Sequence, residues 1–200
     1  EYIREREERF VREVKRSAIS DKRFNLSVAR YFLPDYEGVP LGDVVEVHRL
    51  QNSSENTKAG RVLTLRTIRD AINEDTLHAK DVEVAGLRKQ HRLLDFSCVL
   101  VSLRGSDINP TVFIYEDEPI YIDSFGIVAI RPVGSNINLE YLKYRLSTPR
   151  VKEQVKAFQG GFNHLMISRS DLMSIIVKLD DGPEAQKLVV NALRTQRKEA

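Results

Sequence analysis

The sequence has few of the residues that build disulfides, metal sites or membrane spans. Its single cysteine, Cys98, lies in the apolar run CVLVSL and cannot form a disulfide within the chain, so we interpret it as a small core residue. No run of about eighteen apolar residues occurs, and the first residues are charged, which argues against a membrane span or an export signal. The 4 histidines are too dispersed for a metal-ligand motif. These absences predict a cytoplasmic protein that binds no metal.

Motifs for catalysis are lacking as well. An enzyme that methylates an amine needs an Asn/Asp-Pro-Pro motif beside an aromatic residue and a glycine-rich turn for S-adenosylmethionine. Asn109-Pro110 has neither the second proline nor the aromatic, and the 10 glycines are scattered. Glu83 is followed by Val84 and Ala85 rather than by the lysine of a nuclease box, and no nucleophile-elbow motif occurs. We therefore predict no catalytic residue and no cofactor within these 200 residues.

The middle of the chain predicts a sheet. β-Branched and aromatic runs bounded by Gly, Pro, Asn or Asp occur at 61–65, 80–87, 97–103, 111–116, 119–123 and 125–132. Two helices are predicted after them, over 139–147 with Asn136 or Asn138 as the cap, and over 149–159 with Pro149 in the first turn. Strands followed by helices predict an α+β fold, in which helices pack against a strand-rich mixed or barrel-like sheet.

Both ends of the chain predict amphipathic helices. Residues 1–20 alternate acids and bases around a narrow apolar seam, and 183–198 carry one apolar stripe. The stripe consists of Ala185, Leu188, Val189, Ala192 and Leu193. It is expected either to pack on a long helix, such as the N-terminal helix or one of a partner, or to cover the sheet of its own domain. The chain begins at Glu1 rather than at methionine, which suggests a piece of a longer protein.

Positive charge is clustered rather than abundant, since the net charge is only +2. One cluster contains Lys58, Arg61, Arg66 and Arg69, and the other contains Arg88, Lys89, His91 and Arg92. Each cluster is able to contact phosphates, although solvated strand or loop edges would have the same composition.

The last third of the chain carries the most specific pattern. The run SFGIVAIRPVG at 124–134 is followed by two predicted helices, a glycine loop, a short apolar segment and a long helix opened by a proline. The residues that carry this order are Tyr141, Leu142, Tyr144, Leu146, Ser147, Gly160, Gly161, His164, Leu165, Leu172, Ile175, Pro183 and Gln186. The order and spacing resemble one half of the specificity (S) subunit of type I DNA restriction-modification systems.

Two boxes near the N-terminus extend this resemblance. NLSVARYF at 25–32 resembles the box that closes the catalytic part of N6-adenine DNA methyltransferases, and PLGDVVEV at 40–47 resembles the opening of specificity-subunit recognition domains. The resemblance implies three parts. These are a helix or linker from an upstream methyltransferase region at 1–23, a DNA target recognition domain at 24–181, and the start of a coiled-coil-like conserved-region helix at 182–200.

The resemblance also implies partners and contacts. The parent enzyme would be either a fused methyltransferase or one with a separate specificity subunit, and it would use S-adenosylmethionine. The partners would be double-stranded DNA and a methyltransferase domain or subunit. The C-terminal helix would bind a restriction subunit or a second copy of the chain. SCVLVSLRGS at 97–106 resembles a family strand-turn, which adds Arg104 and Ser106 to the DNA-binding candidates. The loop at 160–164 adds Gly161, Asn163 and His164.

Each of these contacts has a plainer interpretation. Arg104 would then pair with Asp107 or Glu116, and Gly160 would end a helix with Phe162 folded into the core. The alternative function is a protein-interaction or assembly module that docks through its terminal helices and does not bind DNA.

Overall fold

The computed structural model describes residues 13–21, 28–48, 50–52, 58–70, 76–134, 136–159, 165–179 and 182–199. Most of the predicted N-terminal helix and the predicted loop with Gly161, Asn163 and His164 lie outside these residues. The described part is an α+β fold, as predicted.

Twelve strands account for the sheet-forming part of the described chain. They are β1 (Val39–Pro40), β2 (Val45–Val47), β3 (Gln51–Asn52), β4 (Ala59–Leu63), β5 (Leu77–His78), β6 (Val84–Gly86), β7 (His91–Leu94), β8 (Cys98–Ser102), β9 (Thr111–Ile114), β10 (Ile120–Asp123), β11 (Ile127–Pro132) and β12 (Ile176–Val177). Strand β7 was not predicted, because basic side chains interrupt its apolar pattern. Phe125, which was predicted to begin a strand, lies in the turn before β11 instead.

The α-helices are α1 (Arg16–Asp21), α2 (Leu41–Val44), α3 (Leu65–Asp70), α4 (Leu139–Leu146), α5 (Pro149–Phe158), α6 (Arg169–Met173) and α7 (Pro183–Glu199). Short 3-10 helices occupy Val28–Tyr31 and Ala79–Asp81. Helices α4 and α5 match the predicted ranges closely because local signals start them. The Asn138 side chain accepts from the backbone N–H groups of Glu140 and Tyr141, and Pro149 opens α5.

The strands form two five-stranded mixed sheets and one small pair. The first sheet has the order β3-β7-β10-β4-β6, the second has the order β2-β11-β8-β9-β5, and β1 pairs with β12. Strand β10 runs parallel to β4 and antiparallel to β7, and these three strands form the middle of the first sheet. Among the described strands no barrel closes, so the mixed-sheet alternative is the one the structure shows.

The second sheet is buried on both faces, which gives the domain three layers. In β8, Cys98 and Leu100 face a core shared with the first sheet, whereas Val99 and Val101 face a core shared with the helices. Strand β11 alternates in the same way. Burial raises the pKa of the Cys98 thiol, which is consistent with its interpretation as a core residue. The two cores hold the loops at the ends of the sheets in fixed relative positions.

Candidate nucleic-acid interface

A tight turn at 124–126 joins β10 to β11 and presents an aromatic side chain to solvent. The Asp123 carboxylate accepts from the backbone N–H of Phe125 at 3.0 Å, and the Asp123 carbonyl accepts from the N–H of Gly126 at 3.2 Å. Phe125 is 66% exposed at the tip of this turn, whereas Gly126 and Ile127 after it are buried. The turn therefore projects one large apolar side chain away from the core.

A basic turn lies beside it. Since β7 begins where β10 ends, with His91 paired to Asp123, the turn before β7 adjoins residue 124. The Gln90 carbonyl accepts from the Ser124 hydroxyl at 3.0 Å, and His91 Nδ1 accepts from the backbone N–H of Arg88 at 3.1 Å. The exposed side chains of Arg88 and Lys89 are thus held next to the aromatic turn.

His91 is buried, and its protonation state is tied to this turn. Burial lowers the pKa of His91, the Asp123 carboxylate acts to raise it, and Arg88 lowers it further. A ring nitrogen that accepts a hydrogen bond carries no proton, so the contact with Arg88 requires the neutral imidazole.

The loop after β8 meets the same turn from the other side. The backbone N–H of Leu103 donates to the Gly126 carbonyl at 2.9 Å, and Gly105 donates to the Leu165 carbonyl at 3.0 Å. Gly105 has a φ of 108°, a conformation that favours glycine and turns the chain sharply, as its sequence context predicted. Arg104 and Ser106 flank this glycine, and both side chains are exposed.

Two further segments complete the arrangement. A Cβ atom on Gly126 would lie 3.2 Å from Leu65 Cδ1, so the absence of a side chain here lets the start of α3 pack closely against the turn. The exposed Arg66 follows Leu65 in α3. The Arg169 guanidinium at the start of α6 donates to the Ser124 carbonyl at 3.2 Å. We call the turn at 124–126 and its neighbouring cationic residues the basic junction. Those residues are Arg66, Arg88, Lys89, Arg92, Arg104 and Arg169.

Acid partners are scarce at the basic junction. Within the described residues, Arg88, Lys89 and Arg104 form no ion pair. Arg92 donates to the backbone carbonyl of His91 at 3.1 Å and Arg169 donates to that of Ser124 at 3.2 Å, and in the same described part of the chain neither forms an ion pair. Asp107 pairs with Lys152, and Glu116 Oε2 lies 3.1 Å from His78 Nδ1, so neither acid suggested as a partner of Arg104 pairs with it in the structure. Such a set of cations suits phosphate groups.

A polar cleft of about 890 Å³ opens beside the basic junction, between the two large sheets. Ser124, Arg92 and Arg169 line it together with Gln51 and Asn52 of the edge strand β3. Side-chain amides can form paired hydrogen bonds with adenine, and arginine can do so with guanine. The cleft thus combines residues that can position a phosphate with residues that can contact a base.

The other predicted DNA contacts are Arg61, Lys58 and three residues of the glycine loop. Arg61 is held by the Glu118 carboxylate and donates to the Val82 carbonyl at 2.9 Å. Lys58 is exposed, and its carbonyl accepts from the N–H of Leu87, next to Arg88. Gly161, Asn163 and His164 lie outside the described residues. These residues remain predictions.

Sequence reasoning missed Phe125 and Arg169. Phe125 was assigned to a strand because aromatic residues favour strands, yet Asp123 two residues earlier is a turn signal. Arg169 follows Ser168, whose hydroxyl caps α6 by accepting from the N–H of Asp171. No local pattern connects Arg169 to residue 124, because 45 positions separate them.

Helix α7 docks on α4 through a face adjacent to the predicted apolar stripe. Gln186 is buried and bonds the backbone of Asn136 and Asn138, Val190 is 7% exposed, and Arg194 pairs with Glu140. Within the stripe, Leu188 is 71% exposed, Ala192 is exposed, and Ala185, Val189 and Leu193 are half-buried. Much of the stripe therefore remains open to solvent.

No helix in the described part of the chain is long and apolar enough to cross a membrane. Nor do the described residues contain a group of three or more His, Cys, Asp and Glu side chains placed to hold a metal ion.

No protein-family model and no curated protein matches this chain. Among solved structures, the crystal structure of the HsdS subunit from Thermoanaerobacter tengcongensis is similar, with 18% sequence identity and a TM-score of 0.52. The similarity covers 92% of this chain and 44% of that chain, so this chain spans less than half the length of the HsdS subunit. The resemblance inferred from sequence is thus confirmed in the fold, and the chain has the architecture of a type I specificity-subunit-like domain.

Proposed function

We propose that this chain is a non-catalytic, sequence-specific DNA target recognition domain of a restriction-modification system. The observation that carries the proposal is the basic junction, where cations from four separate segments surround one turn and where Arg88, Lys89 and Arg104 form no ion pair within the described residues. The fold of a specificity-subunit-like domain supports the same function.

The charge distribution of the basic junction suits a DNA duplex better than it suits a small anion. Isolated phosphates are bound by compact nests of backbone N–H groups and one or two cations. Here the cations spread over several loops, as expected for successive phosphates along a backbone. Phosphate contacts fix the register of a protein on DNA, and side chains such as those of Gln51 and Asn52 in the adjoining cleft would then read base edges.

Salt-dependent binding tests this proposal. The substitutions Arg88→Gln, Arg104→Gln and Arg169→Gln, combined in one variant, should reduce the slope of log affinity against log salt concentration by about 2–3 units, because each lost phosphate contact removes about 0.9. Fluorescence anisotropy with a labelled mixed-sequence duplex measures the slope at several salt concentrations.

The matched control removes three charges elsewhere. A variant with Lys152→Gln, Lys178→Gln and Lys187→Gln loses the same formal charge, but each of these lysines pairs with an acid in the native chain. Its slope should stay close to that of the native chain. Equal slopes for the two triple variants, or no binding by the native chain, would contradict a DNA interface at the basic junction.

We further propose that the domain directs an N6-adenine methyltransferase, as a fused region or a separate subunit, and that S-adenosylmethionine binds in that catalytic part. The NLSVARYF and PLGDVVEV boxes support this finer function. Mapping N6-methyladenine in the source cell with and without the gene should reveal one modified sequence motif that disappears. An unchanged methylation pattern would contradict the methyltransferase role and leave DNA binding intact.

A second candidate function, assembly, is favoured by one observation. Leu188 is 71% exposed on a helix that already docks through its other face. An open apolar stripe of this kind suits a partner helix, such as one from a methyltransferase or restriction subunit or from a second copy.

A further inference from the structure

Phe125 is the large apolar side chain that the basic junction presents to solvent. It contributes to neither hydrophobic core, although the residues on both sides of its turn, Ile122 and Ile127, are fully buried. At 66% exposure Phe125 gains little from folding, since most of its apolar surface remains in water. Its position at the tip of a turn therefore calls for another explanation.

Hydrogen bonds on both sides hold the backbone of Phe125 in place. The Asp123 carboxylate fixes the backbone N–H of Phe125, the Gln90 carbonyl anchors Ser124, and the Gly126 carbonyl accepts from Leu103. Since the backbone on both sides is already ordered, a partner that contacts the ring has little conformational entropy to remove.

The surroundings of Phe125 define the chemistry of that partner. Ser124, the residue before Phe125, is hydrogen-bonded by Arg169 and by Gln90, which follows Arg88 and Lys89 in the basic turn. Gly126, the residue after Phe125, accepts from the N–H of Leu103, which precedes Arg104. A matching partner has a flat apolar surface within a few ångströms of several negative charges. Stacked bases flanked by phosphates have this combination, and proteins insert apolar side chains between base steps or stack aromatic rings on bases.

We infer that Phe125 stacks against a base of the bound DNA while the neighbouring cations hold the flanking phosphates. This inference rests on the proposed function and deepens it, because it separates a salt-independent base contact from the salt-dependent phosphate contacts. Phe125 is thereby a positioning residue that fixes the depth at which the domain sits on the duplex.

The first test measures affinity at several salt concentrations for Phe125→Ala and Phe125→Leu. Loss of the ring should weaken DNA binding about 5- to 150-fold with the slope of log affinity against log salt unchanged, because stacking releases no counterions. Leucine, which is apolar but cannot stack, should fall between alanine and the native residue. Thermal unfolding should be nearly unchanged for both variants, since the side chain is exposed.

The second test uses the absence of tryptophan from the sequence. Phe125→Trp introduces a single indole whose emission should be quenched when it stacks on a base. Leu188→Trp is the matched control, because Leu188 is also exposed, at 71%, but lies on α7, which docks on α4 rather than on the segments of the basic junction. Its emission should not change on addition of DNA.

The outcomes separate this inference from the proposed function. Failure of the native chain to bind DNA would reject both. Binding by the native chain with unchanged affinity for Phe125→Ala would overturn the inference alone. Weaker binding by Phe125→Ala without quenching in a DNA-bound Phe125→Trp complex would also overturn it, because the ring would then contact sugar or protein rather than a base.

Discussion

The helical side of the molecule and the basic junction treat positive charge in opposite ways. On the helical side, Arg30 pairs with Asp171 at 2.8 Å, Lys152 pairs with Asp107 at 3.0 Å, and Arg194 pairs with Glu140. At the basic junction, Arg88, Lys89 and Arg104 form no ion pair within the described residues. Arginine and lysine therefore form ion pairs within the fold on the helical side, whereas at the basic junction Arg88, Lys89 and Arg104 remain available to a partner.

This difference explains why net charge is a poor guide to the partner of this chain. The sum is only +2, because acids and bases nearly cancel over 200 residues. Cancellation is local on the helical side, where each pair is a short-range contact. At the basic junction Arg88, Lys89 and Arg104 have no ion-pair partner in the described part of the chain, and their charge produces a local field that an average over the chain conceals.

The largest effect is expected from breaking the most buried pair. Arg30 is 7% exposed, and its guanidinium also lies 4.8 Å from the centre of the Phe158 ring. Arg30→Ala should lower the free energy of unfolding by about 2–3 kcal/mol, because it leaves the Asp171 carboxylate partly buried without its charge partner. Urea denaturation measures the loss.

Lys187→Ala provides the contrast, since it breaks an exposed pair with Glu184 and should cost about 0.3 kcal/mol. Neither variant should alter the salt dependence of DNA binding. Equal losses from the two variants would mean that burial does not distinguish these pairs.

Helix α7 shows the same contrast between two of its faces. Val190→Asp should cost about 2–3 kcal/mol, because it places a carboxylate in the contact with α4. Leu188→Asp should change stability by less than about 0.5 kcal/mol, because Leu188 is 71% exposed.

If the stripe binds a partner helix, Leu188→Asp should nevertheless weaken that assembly, which sedimentation of the chain with the proposed methyltransferase partner measures. Substituting Leu193 to Asp as well should strengthen the effect, although this residue is half-buried and will add some loss of stability. A large loss of stability from Leu188→Asp alone would show that the stripe belongs to the interior of the domain.

The cap of α4 should have an intermediate effect. Asn138 accepts from the N–H groups of Glu140 at 2.8 Å and Tyr141 at 3.2 Å. Asn138→Ala should cost about 1 kcal/mol in chemical denaturation, and Asn138→Ser should recover most of it, because serine also caps helices. A loss that serine does not recover would show that the cap is not the main contribution of this side chain, since both variants keep the backbone N–H that Gln186 accepts from.

The smallest effect is a pH dependence at the basic junction. Burial lowers the pKa of His91 below its usual 6.5, so the folded chain binds fewer protons at this site than the unfolded chain does. Stability from this group is complete above 6.5 and falls as pH decreases from there towards the folded pKa. Unfolding midpoints at about pH 7.5 and 5.5 should differ less for His91→Gln than for the native chain. An identical difference would show that other groups cause the dependence.

The sequence predicted those parts of the fold that depend on neighbouring residues. Asn138 and Pro149 start α4 and α5 through contacts within a few positions, so both helices were located to within one residue of their observed ends. Strand β7 was missed because its pairing with β10 joins residues about thirty positions apart, and its own pattern mixes histidine and arginine with leucine.

The candidate site could be predicted only as separate pieces. Arg66, Arg88, Lys89, Arg92 and Arg104 were named from two clusters and one turn, and the structure brings them to one junction. Their convergence depends on the pairing of β4 and β7 with β10 and of β8 with β11, which no local pattern encodes. Arg61 shows the converse, because its ion-pair partner Glu118 is 57 positions away and no local pattern predicts that pair.

Strand β8 has a consequence for how the domain unfolds. Its residues 98 and 100 belong to the core between the sheets, and residues 99 and 101 belong to the core under the helices. One layer cannot unfold while the other stays intact, because both cores contain side chains of the same five-residue strand, Cys98–Ser102. The domain should therefore lose its structure in one all-or-none step. A rigid unit of this kind can form recognition contacts at its loops while its sheets keep a constant shape.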